Sequence, residues 1–136
     1  MDINRIKEFF DNDRFAKMAG AVIEEITDSQ IVCSMSVTDN HLNAGGTTQG
    51  GAVFTLADFA FAVAANLSDL KADNNAITIS QSGNILFFHP AKGDKLIART
   101  ICLQKGRKIS VYRVTVMDSL GTTVAEMTGN AYRITK

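Results

Sequence analysis

Residues 50–67 read GGAVFTLADFAFAVAANL. A helix through this run has few polar side chains on any side, and such a helix is normally wrapped by the rest of its protein. The longest apolar part, residues 52–65, is interrupted by Thr55 and Asp58 and is too short to span a bilayer. We therefore predict a long central helix in a soluble domain with no membrane partner.

The flanking segments predict an antiparallel sheet. Residues 2–18 form an amphipathic pattern that Asp2 can cap and that ends before Gly20, which indicates a first helix. Residues 38–48 and 68–75 lack periodicity and predict surface loops. Strands are expected at 21–26, 31–37, 77–88 (with a bulge at Gly83), 95–103, 109–117 and 122–134. This order predicts an α+β fold in which the sheet wraps around the central helix.

Length and composition limit the classes of function. The chain has 136 residues, so residues 1–136 are expected to form a single domain. Lys+Arg and Asp+Glu both number 14, and this balance disfavours a nucleic-acid partner. The opening MDINRIKEFF is not a secretory signal. Cys33 and Cys102 lack metal-ligand spacing and are expected to be reduced and buried, which suits the cytoplasm.

Two glycines, Gly50 and Gly51, begin the central helix. Glycine costs roughly 1 kcal/mol relative to Ala inside a helix, but in the first turn it lets a ligand approach the unpaired N–H groups. Those donors, together with the helix dipole, would hold an anion or a developing oxyanion. The alternative is a tight helix–sheet contact, which is the commoner reason for a lone pair of glycines.

Asp58 is a carboxylate on a helix that is expected to be buried. Such a group must be paired, hydrogen-bonded or protonated, because removing its hydration is costly. No Lys or Arg lies three or four residues away on the same helix. Asp58 is therefore either a functional carboxylate in a cleft or an Asp bonded to a backbone amide or water, and the sequence favours neither.

Gly50 and Asp58 are eight residues apart, which places them roughly 12 Å apart along one helix axis. An Asp side chain cannot span that distance to a carbonyl held at its own helix N-terminus. Two copies of the helix running antiparallel across a two-fold axis would bring Gly50 of one chain to Asp58 of the other. A working site therefore predicts a homodimer.

The pattern HxNxxGxxxGGxxFxLAD over residues 41–58, followed by an alanine-rich helix, resembles the PaaI-like branch of hotdog-fold acyl-CoA thioesterases. The resemblance implies a hotdog fold, a dimer or a dimer of dimers, and hydrolysis of an aromatic or a short- or medium-chain acyl-CoA. It implies no metal and no cofactor beyond the coenzyme A of the substrate.

The resemblance also implies residue roles. The N–H of Gly50 would polarise the thioester carbonyl, and Asp58 would attack it or activate water. Asn43 would position the nucleophile or the thioester, and Ser80 would hold water. Gln49 stands where relatives usually have His, and it donates a hydrogen bond but carries no proton at neutral pH.

Further substrate contacts are expected from residues around this motif. Gly51 and His41 are two of them, although His41 is more typical of a loop or cap residue. Phe54 is another, although the phenylalanines (Phe54, Phe59, Phe61, Phe87 and Phe88) are first of all expected in the core. Arg107 and Lys108 lie in a turn that is either solvated or bound to the phosphates of coenzyme A. His89 is expected to be structural or to line the pantetheine channel.

Two other functions share this architecture. A non-catalytic acyl-CoA-binding protein is the main alternative, because Gln49 replaces the usual His. A hotdog-fold hydratase or dehydratase usually needs a His–carboxylate dyad, and neither His41 nor His89 sits at a suitable helix position.

Overall fold

The computed structural model describes residues 3–135. In chain order its elements are α1 (Ile3–Phe10), α2 (Arg14–Ala19), β1 (Ala21–Ile26), β2 (Ile31–Ser36), α3 (Gly50–Ala72), β3 (Ala76–Phe87), β4 (Lys95–Gln104), β5 (Ile109–Asp118) and β6 (Thr123–Thr135). The strands form one antiparallel sheet in the order β1-β2-β4-β5-β6-β3. The predicted α+β fold, a sheet wrapped around a long central helix, is confirmed.

The core lies between α3 and the inner face of the sheet. On β5, Val114 and Val116 point inward at the two-residue period of a strand, and both are fully buried. The Phe61 ring lies so close to β6 that a Cβ at Gly129 would stand 2.9 Å from it. By length and composition alone α3 could cross a membrane, but here the side that faces the sheet is buried in the core.

The predicted first helix is wrong as a single element, because the chain forms two helices separated by a turn. The break follows from local capping. Asp13 is the N-cap of α2, and its Oδ1 accepts the N–H of Ala16 at 3.1 Å. Gly20 adopts a left-handed conformation (φ 95°) and ends α2, as the sequence indicates. Asp2, the predicted cap of the first helix, lies outside the described residues.

Other boundaries also differ from the prediction. Helix α3 continues to Ala72, so residues 68–72 are helical. The Asn66 side chain donates to the carbonyl of Thr78 and accepts its N–H, which ties this part of α3 to β3. The predicted bulge at Gly83 is wrong, because the register shift lies between Ser80 and Ser82. Gly83 instead leaves room for Phe54, whose ring lies 3.4 Å from the position of a Cβ there.

The two cysteines have different environments. Cys33 is buried, and burial raises the pKa of its thiol to about 12, so it is inert at neutral pH. Cys102 is exposed, so the prediction that it is buried is wrong. It lies near the end of β4, where the last three residues are all exposed.

Asp118 organises the turn between β5 and β6. Its side chain accepts three backbone N–H groups, from Lys92 at 2.9 Å, Leu120 at 3.0 Å and Thr122 at 2.9 Å. Burial alone would raise the pKa of this carboxyl, but the three backbone bonds and the Lys92 charge lower it overall. The carboxylate therefore joins the segment before β4 to the β5–β6 turn.

We expect Asp118→Ala to lower the free energy of unfolding by about 3 kcal/mol, because it leaves three donors unpaired at a site that is 2% exposed. Folding lowers the pKa of Asp118. The difference in the free energy of unfolding between parent and variant is therefore largest above the ordinary carboxyl pKa of about 4 and becomes smaller as the pH falls below it. Urea titrations at pH 7 and pH 3 measure it. Equal midpoints at pH 7 would contradict the assigned role.

Candidate active site

The first turn of α3 has unpaired donors. Gln49 is the N-cap, but its side chain makes no capping bond. Its carbonyl accepts the N–H groups of Ala52 at 2.9 Å and Val53 at 3.3 Å. Within residues 3–135, the N–H groups of Gly50 and Gly51 have no hydrogen-bond acceptor. These two donors at the positive end of a 23-residue helix are suited to hold an oxyanion.

A cavity of about 290 Å³ opens beside these donors. Its walls include Gly50, Phe87, Phe88 and His89. The Phe87 ring lies 3.3 Å from the position of a Cβ on Gly50, so glycine permits this close approach. The prediction that Phe87 and Phe88 are core residues is wrong, since they are 52% and 47% exposed. His89 lies at this cavity.

The loop before α3 is organised by Asn43. Its Oδ1 accepts the N–H groups of Gly45 at 2.9 Å and Thr47 at 3.1 Å, and its Nδ2 donates to the Thr47 hydroxyl at 3.0 Å. Asn43 thus uses its amide on its own loop and sets the approach of the chain to the helix N-terminus. The exposed Gln49 side chain lies over Gly51, with Oε1 2.5 Å from the position of a Cβ there.

His41 has the cap role that the sequence suggested. It closes a short 3₁₀ turn, Asp39–His41, in which its Nδ1 accepts the backbone N–H of Thr38 at 3.0 Å. With Nδ1 accepting, Nε2 carries the proton and donates to the carbonyl of Ala19 at 2.6 Å. Both ring nitrogens are engaged, and His41 fastens the loop to the end of α2.

Asp58 is exposed in the single chain, so the prediction that it is buried is wrong. It belongs to a stripe of small side chains on α3 that the sheet does not cover, formed by Gly51, Thr55, Asp58 and Ala62. No ion pair or hydrogen bond holds the Asp58 carboxyl within the part of the chain that is described.

The pKa of Asp58 is raised, first by partial desolvation and then by repulsion from the carboxylate of Asp13. Asp13 lies at the corner between α1 and α2, which packs on α3 where Phe10 meets Phe59 at a ring-centroid distance of 5.9 Å. A raised pKa favours the role of a general base. The sequence analysis missed Asp13, although its position before Arg14 is a typical N-cap signal.

One chain does not bring the two central groups together. Gly50 and Asp58 lie on the same helix, roughly 12 Å apart along its axis. Ser80 is exposed on β3, next to the bulge. Phe54 is half-buried, and its ring packs on β3 at Gly83. The residues of the motif therefore form two separated halves of a site.

A second, basic pocket lies at the other end of α3. This cavity of about 580 Å³ has walls from the β4–β5 hairpin, α3 and the end of β6. Four cationic side chains line it, namely Lys105, Arg107, Lys108 and Arg133. Arg133 is held by Asp69 through bonds of 2.8 and 3.0 Å, and this arginine is the largest cause of the lowered pKa of Asp69.

The other three cations of the basic pocket have no carboxylate partner within residues 3–135. Lys105 instead contacts the Ser68 hydroxyl at 3.3 Å. The pocket therefore has a positive excess that suits phosphate groups. Arg107 and Lys108 were predicted from the hairpin, whereas Arg133 was not, since it is 64 residues from Asp69.

Comparison with known proteins agrees with this architecture. Residues 45–125 match the thioesterase superfamily. The chain is 34% identical to the acyl-coenzyme A thioesterase PaaI of Escherichia coli strain K12, over 92% of this chain and 86% of that one. It is 27% identical to human acyl-coenzyme A thioesterase 13, over 71% of this chain and 67% of that one.

Solved structures show the same fold. The structure of the E. coli PaaI protein superposes with a TM-score of 0.85 and 30% identity, covering 96% of this chain and 91% of that one. The chain belongs to the thioesterase superfamily. It has the hotdog fold of these relatives and is a thioester hydrolase.

Proposed function

We propose that the protein hydrolyses small aromatic or short- to medium-chain acyl-CoA thioesters at two sites shared between the subunits of a homodimer. The observation that carries this proposal is the pair of half-sites on α3, with free donors at Gly50 and an unpaired carboxylate at Asp58. The names of the E. coli and human relatives support acyl-CoA as the substrate class.

The edge strand β3 supports a dimer. It has 12 residues with no charged side chain and no proline, and none of them is buried. Natural edge strands are usually protected by charge, proline or brevity. The opposite edge, β1, has six residues and carries Glu24 and Glu25. A second copy that pairs its β3 antiparallel to this one would satisfy the free backbone groups.

The contacts between α3 and β3 suggest where the two-fold axis passes. Residue 54 is midway between Gly50 and Asp58, and Phe54 lies against Gly83. An axis near Phe54 and Gly83 would put Gly50 opposite Asp58 of the partner subunit. The uncovered stripe of α3 is made of small side chains, which would allow the two helices to approach closely.

The chemistry follows from these positions. The N–H of Gly50 draws charge onto the carbonyl oxygen. Asp58 of the partner subunit takes a proton from water as the hydroxide forms a bond to the carbonyl carbon, or attacks that carbon itself and forms an anhydride that water opens. In both routes the C–S bond breaks when the tetrahedral adduct collapses, which in the anhydride route comes before water opens the anhydride. The thiolate leaves with the electron pair and is protonated to the thiol. The products are a carboxylic acid and coenzyme A.

The remaining motif residues would support this step. Asn43 would hold the loop at the site and position the nucleophile or the thioester. Ser80, on β3, would hold the attacking water. Gln49 and Gly51 would contact the carbonyl from the helix N-terminus, and Gln49 would donate a hydrogen bond without taking part in proton transfer.

Mixed dimers test the shared site. Asp58→Asn and Gly50→Pro should each be nearly inactive, but co-expression should restore about a quarter of the parental activity. Random pairing makes half of the dimers mixed, and each mixed dimer has one intact site out of two. Thiol release from an acyl-CoA panel measures this. A co-expressed mixture as inactive as either variant alone would contradict a shared site. If the parent protein instead binds acyl-CoA tightly without releasing thiol, the non-catalytic binding protein is favoured.

The basic pocket would bind the phosphates of coenzyme A. Ser68, which lines it, is ten residues beyond Asp58 on α3, or roughly 15 Å along the axis. This distance suits an extended pantetheine arm between thioester and nucleotide.

The exposed apolar rings of Phe87 and Phe88, at the N-terminal end of α3, would contact the acyl group. Association into a dimer of dimers and a cytoplasmic location remain part of this proposal.

We expect Arg107→Gln with Lys108→Gln to raise KM for acyl-CoA by about tenfold or more, since two phosphate contacts are lost. The same double variant should hydrolyse the matching acyl-N-acetylcysteamine thioester, which lacks the nucleotide, at the parental rate. Lys17→Gln with Lys92→Gln, which removes two positive charges outside the pocket, is the charge-matched control. An equal loss with both substrates would contradict phosphate binding here.

A further inference from the structure

A cavity of about 270 Å³, the α1 cavity, lies between α1, the C-terminal end of α3 and the start of β3. Its walls include the apolar residues Ile6, Phe9, Leu70 and Ile77. Ile6 is 3% exposed and belongs to the core, whereas Phe9 is 44% exposed. An open aromatic ring at the wall of a cavity is a candidate contact for an apolar ligand.

Contacts at both ends hold α1 over α3. The guanidinium of Arg5 donates to the carboxylate of Asp73 at 2.6 Å, just beyond the last turn of α3. The Phe9 ring meets the Phe10 ring edge-on at a centroid distance of 5.1 Å, and Phe10 packs in the same way on Phe59 of α3 at 5.9 Å. Phe9 is therefore held in place although much of its surface is open.

The proposed pairing of β3 with its copy determines what the α1 cavity faces. In an antiparallel pair with its two-fold axis near Gly83, residues at similar distances on either side of the axis lie opposite each other. With the bulge between Ser80 and Ser82 taken into account, residues 76–77 of one subunit lie opposite residues 88–89 of the partner. The first pair lines the α1 cavity, and the second pair lines the cavity of about 290 Å³ beside the helix donors, here called the acyl cavity.

The helices bring the same two cavities together. Asn66 lines the α1 cavity and lies eight residues beyond Asp58 on α3, roughly 12 Å further along the axis. In the proposed dimer, Asp58 faces the N-terminus of the partner's antiparallel helix. Thr47 and Thr48, which precede that N-terminus, line the acyl cavity. The geometry of α3 and that of β3 therefore agree that the α1 cavity of one subunit opens onto the acyl cavity of its partner.

We propose that the acyl group extends from the acyl cavity of one subunit into the α1 cavity of its partner, where Phe9 of the partner subunit limits its length. The inference rests on the proposed function, because it needs the dimer paired through β3 and a thioester held at Gly50. A butyryl group ends within the acyl cavity, whereas a lauroyl group has to pass Phe9. Phe9 is thus a specificity-determining residue that acts across the interface.

Thiol release from butyryl-CoA and lauroyl-CoA tests this role. Phe9→Ala should raise the ratio of kcat/KM for lauroyl-CoA to that for butyryl-CoA by about tenfold, and Phe9→Trp should lower it, because a wall at the end of a pocket selects acyl groups by size. Butyryl-CoA should be hydrolysed at the parental rate by both variants. Phe15→Ala is the matched control, since this ring is 63% exposed on α2 and lines neither cavity. The same ratio in the parent and both Phe9 variants would overturn the assignment.

Mixed dimers show which subunit supplies Phe9. Their single intact site combines Gly50 and the acyl cavity of the Asp58→Asn chain with Asp58 of the Gly50→Pro chain. Phe9→Ala placed in the Gly50→Pro chain should raise the ratio for lauroyl-CoA, whereas the same change in the Asp58→Asn chain should leave it at the parental value. Only mixed dimers are active, so the species need no separation. The reverse result, or equal effects from the two placements, would refute a contact across the interface.

Cross-linking tests the joined cavities without relying on activity. Ala76→Cys with His89→Cys puts one thiol at each cavity, and a short bismaleimide should then link two subunits covalently. Within one chain these positions lie at opposite ends of β3, roughly 40 Å apart, so the link can form only between subunits. Cys102→Ser removes the exposed native thiol, and Cys33 is buried. Each single cysteine variant is a control, because the two copies of one position lie at opposite ends of the paired strands.

The outcomes separate this inference from the proposed function. A covalent dimer that releases no thiol from any acyl-CoA would retain the joined cavity and overturn the hydrolysis. Thiol release by mixed dimers without a cross-link, or without the subunit-dependent change in selectivity, would overturn the joined cavity and retain the shared catalytic site.

Discussion

Asp58→Asn is expected to lower kcat by about a thousandfold while the affinity for acyl-CoA changes little. The substitution keeps the shape and the hydrogen-bonding capacity of the side chain but removes the base or nucleophile. No residue among those described pairs with Asp58, so no buried cation is left without a partner. Steady-state thiol release gives kcat, and calorimetry on the inactive variant gives the affinity.

The pH dependence of the parent adds a second measurement. Desolvation and the Asp13 carboxylate raise the pKa of Asp58, so the active, ionised form is lost at a higher pH than for an ordinary Asp. The acid limb of kcat/KM should therefore lie at a higher pH than an ordinary Asp would give. Asp73→Asn is the matched control, because Asp73 ends the same helix in a left-handed conformation (φ 55°) that Asn also adopts. Parental turnover by the Asp58→Asn enzyme would contradict the role of Asp58 as base or nucleophile.

Gly50→Pro is expected to lower kcat by about a hundredfold to a thousandfold, the range found when one oxyanion donor is removed. Proline is well tolerated at the first position of a helix, where its missing N–H breaks no intrahelical bond. Gln49 has φ −68° and ψ 137°, the extended conformation that a residue before proline prefers. The variant should therefore lose the donor and keep the fold.

Gly50→Ala distinguishes the loss of the N–H donor from crowding by an added side chain. It retains the N–H and adds a Cβ at 3.3 Å from Phe87, whose ring is half-exposed and can move by a few tenths of an ångström. We expect a loss below about tenfold. Circular dichroism and Tm establish that both variants fold. Similar losses in the two would mean that crowding by Phe87, rather than the missing N–H, explains the effect.

The periodicity of the chain was sufficient to predict the long helix, the succession of six strands along the chain and the fold class. The predicted helix boundaries were wrong where a single side chain determines them, as at Asp13, whose capping bond starts a new helix. The bulge at Ser80–Ser82 was also not predicted. A glycine in a strand suggested a bulge at Gly83, but there the missing side chain makes room for the ring of Phe54. Glycine in a strand marks either a bulge or a close contact, and only packing distinguishes them.

By itself the sequence determined that a carboxylate and a pair of glycines share one apolar helix, eight residues apart, too far for one chain to bring them together. Spacing along a helix is a local property that residue order alone specifies. Only the tertiary structure decided that Asp58 is uncovered, that Asp13 faces it, that Phe87 reaches Gly50, and that Arg133 joins the hairpin cations. Those contacts join segments far apart in the chain, and they depend on how the sheet curls around the helix.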